Sequence, residues 1–94
     1  MEIKHSDNGT KGAFYVEIEG VRKAEMTFSH AGTKKIIIDH TEVDASLKGQ
    51  GVGYKLVEAA VEYFRENNLK VIPLCPFAAA VFKKKGDSFA DVLS

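Results

Sequence analysis

Apolar and polar residues alternate along the first half of the chain and recur at helical spacing along the second. Over residues 13–19, Phe14, Val16 and Ile18 fall on one face and Tyr15, Glu17 and Glu19 on the other, the period-two pattern of a half-buried strand. Residues 23–29 alternate again, with Ala24, Met26 and Phe28 in phase. The short break at Gly20-Val21 between these runs predicts a hairpin. A brief extended piece, residues 2–5, precedes them and ends at Asp7-Asn8-Gly9, a turn signal because Asn and Gly tolerate positive φ. A further turn at His30-Ala31-Gly32-Thr33 leads into Lys35–Val43, built around Ile36-Ile37-Ile38. A continuous β-branched run predicts a central strand covered on both faces.

The period then changes. Val52, Leu56, Val57, Ala60, Val61 and Phe64 form one stripe of a helix, with Glu58, Glu62, Arg65 and Glu66 mostly off it. Asn67-Asn68 closes that helix, since Asn accepts the left-handed cap conformation. Residues 69–74 read as a short apolar strand in which Pro73 loosens the pairing. Cys75-Pro76 opens a second helix, residues 77–84, because proline suits a first helical position, and Gly86 ends it. Strands followed by helix, strand and helix predict an α/β (α+β) domain with two main helices. Its sheet is mostly antiparallel and gains one parallel strand after a helical crossover.

Composition narrows the function classes. A chain of 94 residues reads as a single domain over 1–94 with one core. Thirteen basic and thirteen acidic residues give zero formal net charge, which argues against nucleic acid held by long-range attraction. No apolar run approaches a membrane span, and Met1-Glu2-Ile3-Lys4-His5 is not a secretory signal. The single cysteine, Cys75, excludes an internal disulfide and favours a reducing, cytoplasmic setting. No metal-ligand spacing is present.

Chemistry concentrates at Lys48-Gly49-Gln50-Gly51-Val52-Gly53, between the third long strand and the first helix. Glycines let a ligand approach the backbone. The helix start adds unpaired N–H groups and the positive end of a dipole, an anion site suited to a pyrophosphate. Residues 50–54 would be the donors. The competing reading is a tight strand-to-helix turn and nothing more. The loop has neither the Gly-Lys-Ser/Thr ending of a triphosphate site nor the third glycine of a dinucleotide fingerprint.

The loop resembles the signature Arg/Gln-x-x-Gly-x-Gly/Ala of the Gcn5-related N-acetyltransferase superfamily, with Lys48 in the first position. His40-Thr41-Glu42-Val43 before it and Val71-Ile72-Pro73-Leu74-Cys75 after the helix resemble the small single-domain, YjdJ-like subgroup. The resemblance implies a minimal fold of that superfamily and an acetyl-CoA-dependent N-acetyltransferase. Its acceptor would be an amine, small molecule or protein. The alternative is a non-catalytic acyl-CoA-binding or sensing module. It also implies that the coenzyme runs along Val43 and Asp44, over Lys48, Gly49, Gln50, Gly51, Val52, Gly53 and Tyr54, and against Phe77 and Phe82, with its thioester near residues 40–43 and Cys75.

Three side chains are candidates for catalysis. Cys75, ahead of a proline-led helix, is either a nucleophile with a lowered pKa or a small apolar residue lining the pocket. His40, which on a strictly alternating strand shares a face with Ile38 and Glu42, is either a general base or a structural histidine. Glu42 is a second candidate base or a solvated edge residue. Lys83-Lys84-Lys85 either ends its helix in solvent or meets a ribose phosphate.

Overall fold

The computed structural model describes residues 1–94. Five strands form one sheet in sequence order: β1 (Lys4–Asp7), β2 (Lys11–Ile18), β3 (Val21–His30), β4 (Lys35–Val43) and β5 (Lys70–Pro73). The first four run antiparallel, and β5 lies parallel to β4. Helix α1 (Val52–Glu66) makes the crossover between β4 and β5, and α2 (Pro76–Lys85) follows β5.

Turn chemistry sets the hairpins. Asn8 accepts the N–H groups of Thr10 and Lys11, and Gly9 takes φ 90°. Glu19 and Gly20 both have positive φ, as a two-residue turn matched to strand twist requires. α1 starts at Val52 and closes at Asn67, with Asn68 at φ 56°, as the sequence predicts.

Both helices pack on one face of the sheet. Phe14, Val16, Ala24, Met26, Phe28, Ile36 and Ile38 meet the α1 stripe Val52, Leu56, Val57, Ala60, Val61 and Phe64 in one core, which Ala78, Val81 and Phe82 of α2 extend. Each large side chain so buried contributes about 1.5–3 kcal/mol. The tail joins this core through Phe89 and Val92, and Val71 bridges Leu93 in parallel beside β5.

The opposite sheet face carries no helix, so β4 is not covered on both faces. Ile36 and Ile38 are fully buried, whereas Ile37 between them is only half-buried. Two bulges also break the expected alternation. One lies in β3: Val16 pairs with Ala24 but Glu17 pairs with Arg22, leaving Lys23 as an extra residue. The other lies in β4: Phe28 pairs with Ile38 but Thr27 pairs with His40, leaving Asp39 as an extra residue. Ser29 Oγ donates to Asp39 at 2.7 Å and holds the bulge. A one-residue insertion reverses the facing of everything after it.

Candidate functional site

The β4 bulge decides which side chains enter the site. Met26 pairs with Thr41 and Ala24 with Val43, so Thr41 and Val43 face the helices. His40 and Glu42 face the open side with Ile37. His40 therefore shares a face with Glu42 but not with Ile38, contrary to the strict alternation expected from sequence. Its Nε2 lies 4.0 Å from Glu42 Oε2, and both side chains are largely exposed, at 62% and 76%.

Pairing between β4 and β5 ends at Ile38 and Pro73, since a proline nitrogen has no proton to donate. Cys75 N–H still donates to the Ile38 carbonyl at 3.1 Å. Beyond that bond the two strands part and leave an open cleft of about 290 Å³. Thr41 and Val43 wall it on the β4 side. Leu47, Lys48, Gly49 and Gly51 come from the loop, Val52, Gly53 and Tyr54 from α1, and Phe77 from α2.

The loop glycines do different things. Gly49 (φ 83°) and Gly51 (φ 69°) adopt left-handed backbone with open space beside them, conformations that cost an L-residue roughly 1–2 kcal/mol. Gly53 has ordinary φ, but a Cβ there would lie 2.7 Å from the Phe77 ring. Gly53 is thus set by α1–α2 packing as well as by the cleft. Gly51 caps α1 with no side-chain hydrogen bond, and no acidic residue stands in the first turn. Lys55 N–H is the first to pair back, to the Gly51 carbonyl, and the N–H groups of residues 50–54 have no backbone partner in the chain. Free donors at a helix start favour an anion.

Cys75 sits at the N-cap of α2, ahead of Pro76. It is 5% exposed and lies behind the cleft wall. Its Sγ is 3.4 Å from Thr41 Oγ1. Burial is the strongest influence and pushes the thiol up. The Thr41 hydroxyl and the N–H groups of Ala78, Phe77 and Thr41 together outweigh it and hold the thiol below its ordinary value. Donors to the charged form favour that form. Thr41 was not among the residues singled out from sequence. The available signal was that Thr41 and Val43 are in phase with each other but out of phase with Ile36 and Ile38, as a bulge demands.

Three of the residues expected along the coenzyme do not line this cleft. Phe82 is buried, with its ring edge-on to Phe89 at 5.2 Å between centroids. The Asp44 carboxylate accepts Ser46 N–H and caps the 3-10 turn Ala45–Leu47. Gln50 is exposed and does not line the cleft. Glu42 and Asp44 instead border a second hollow of about 220 Å³, with Arg22, Lys23 and Glu25, which meets the first only at Val43. Lys84 and Lys85 approach the face of Tyr54, with Nζ 5.4 and 5.7 Å from the ring centroid. The end of the lysine run therefore stands beside a cleft residue. No group of three or more metal-ligating side chains is present, and no helix is long and apolar enough to cross a membrane.

Comparison with known proteins converges on one family. The pattern of GCN5-related N-acetyl-transferases matches residues 13–92. A GCN5-like protein from Staphylococcus aureus, solved in solution, is 46% identical with a TM-score of 0.76, covering 99% of this chain and 87% of that one. The protein NATD1 of Xenopus tropicalis is 30% identical over 63 residues, which is 66% of this chain and 58% of the frog protein. The chain thus spans little more than half the length of that relative. A predicted acetyltransferase from Clostridium acetobutylicum, solved with acetyl-CoA, shares the fold at 17% identity and a TM-score of 0.67, over 84% of this chain and 58% of that one.

Proposed function

The chain belongs to the GCN5-related N-acetyltransferase family, and from that premise we propose that it transfers the acetyl group of acetyl-CoA to an amine by way of Cys75. The observation that supports this most is the union of two anion-stabilising features across one cleft. Unpartnered N–H groups of residues 50–54 stand at its mouth, and a thiol held below its ordinary pKa lies behind Thr41 on its inner wall. The first set suits the coenzyme's pyrophosphate. Lys84 beside Tyr54 adds positive charge for the remaining phosphate, whereas Lys85 is paired with Glu58 at 3.5 Å. The open edge of β4 at Thr41 and Val43 takes the pantetheine arm.

In this reading the Cys75 thiolate attacks the acetyl carbonyl carbon. A C–S bond to Cys75 forms, the C–S bond to the coenzyme breaks, and the coenzyme leaves as a thiolate that takes a proton from water. An unprotonated amine then attacks the acetyl-cysteine. The C–N bond forms, Cys75 returns to its thiolate, and the amine proton passes to water or to His40. His40 and Glu42 serve an amine that arrives from the open face of the sheet.

Intact-mass spectrometry after exposure to acetyl-CoA alone tests the covalent step. One added acetyl group is expected, and none in Cys75→Ala. Adding an amine panel should discharge the adduct, with release of free coenzyme thiol and an acetylated amine. Turnover with no adduct would replace this route by direct transfer. Tight coenzyme binding without turnover would make the chain a binding module, and absence of binding would overturn the reading altogether.

A further inference from the structure

We propose that Thr41 is a positioning residue whose hydroxyl favours the ionised form of the Cys75 sulfur, and that the β4 bulge at Asp39 aims it there. The inference rests on the acyl-transfer reading only for its purpose; the geometry stands apart from it. Without the bulge, strict alternation through a paired Asp39 would turn Thr41 to the open side, in phase with Ile37. With it, Thr41 shares the helix-side face with Ile38 and Val43, and its Oγ1 comes to 3.4 Å from Sγ. The Thr41 hydroxyl is the group in hydrogen-bond contact with the sulfur; the N–H groups of Thr41, Phe77 and Ala78 favour its charge without a capping bond to it. This sulfur is buried, and a buried anion persists only where donors replace water.

No charged side chain is set to do the same work. On β4, His40 and Glu42 flank Thr41 but point to the opposite face. β5 carries only Lys70, at its far end. α1 turns apolar side chains inward, and α2 has no charge before its last-turn lysines, beginning at Lys83. The ionised form of the sulfur is thus favoured by uncharged groups, of which the Thr41 hydroxyl is the one a substitution can remove.

Since Cys75 is the sole cysteine, its thiolate can be titrated by ultraviolet absorbance, with Cys75→Ser subtracted to remove the tyrosines. Thr41→Val keeps the shape and the backbone N–H but deletes the hydroxyl. It should raise the titration midpoint by about one pH unit and slow acetylation of Cys75, measured well below the midpoint, by about tenfold. Thr41→Ser should restore both. Thermal unfolding of each variant checks that it folds, and Thr41→Ala provides a second hydroxyl deletion should the valine variant not fold. An unchanged midpoint in the valine or alanine variant would overturn the proposal. So would a serine variant shifted as far as the valine one, which would make the effect one of packing. The titration needs no coenzyme, so a normal Thr41 effect with no acetyl transfer would instead count against the proposed function alone.

Discussion

A Cβ built on Gly53 comes within 2.7 Å of the Phe77 ring, whereas at Gly49 and Gly51 it meets nothing. The three glycines therefore fail differently when substituted. Gly51→Ala should cost about 1 kcal/mol through its left-handed backbone alone, whatever its neighbours. Gly53→Ala should cost a similar amount by overpacking, but only while Phe77 is present. Phe77→Ala should relieve it, giving a clear interaction energy in a double-mutant cycle by denaturant unfolding. Additive losses would mean that α2 does not seat its ring on Gly53. Coenzyme affinity should fall in both single variants, because Gly51 and Gly53 both line the cleft.

At the scale of elements, two polar ties fix the ends of the sheet. The first joins the end of β1 to the end of β3, where His30 Nε2 lies 2.8 Å from Asp7 Oδ2. Burial acts most strongly on the Asp7 carboxyl and pushes it up, but the Gly9 N–H and His30 outweigh it and hold it below its ordinary value of 3.8. A carboxyl depressed in the folded state stabilises the fold fully above its unfolded value and loses that contribution as pH falls through the folded one. Melting temperature should therefore drop below about pH 4, and Asp7→Asn should flatten that limb. An identical acid limb in the variant would place its origin elsewhere. The second tie clamps the C-terminal tail to α1: Arg65 Nε and Nη2 donate to the Asp91 carboxylate at 2.6 and 3.0 Å, and Nη2 also to the Ser88 carbonyl. Beneath it, Val71 N–H donates to the Val92 carbonyl and Ser94 N–H to that of Val71. Arg65→Ala should speed amide exchange at Val71 and Ser94 while leaving the middle of α1 protected. Uniform acceleration would mean that the tail and helix open together.

On the scale of the whole molecule, the sheet has one face under helices and one open. The cleft belongs to the helix side, formed where β4 and β5 part. His40 and Glu42 belong to the open side, so a change there should act on the acceptor rather than on the coenzyme. His40→Gln is expected to lower turnover by about 10²-fold with coenzyme affinity unchanged by calorimetry. Turnover equal to that of the unmodified protein would remove His40 from proton transfer, and a lost affinity would mean that the two faces are not separate.

The sequence by itself determined the element order, the α1 stripe, the hairpin turns, the proline-led start of α2 and the glycine loop. Each of these rests on local chemistry: side-chain period, φ preference, or a missing N–H. Cys75 at a helix start was legible for the same reason, since Pro76 follows it directly. Tertiary structure decided which way β4 faces after Ile38. A bulge is a property of two strands, visible only when Thr27 and Phe28 are paired against His40 and Ile38. That pairing brought Thr41 to the sulfur and turned His40 and Glu42 outward, while the packing of both helices on one face left Ile37 only partly covered. It likewise decided that Phe82 packs on Phe89 rather than facing the cleft, and that Gly53 makes room for Phe77. These are contacts between elements distant in sequence, which local periodicity does not specify.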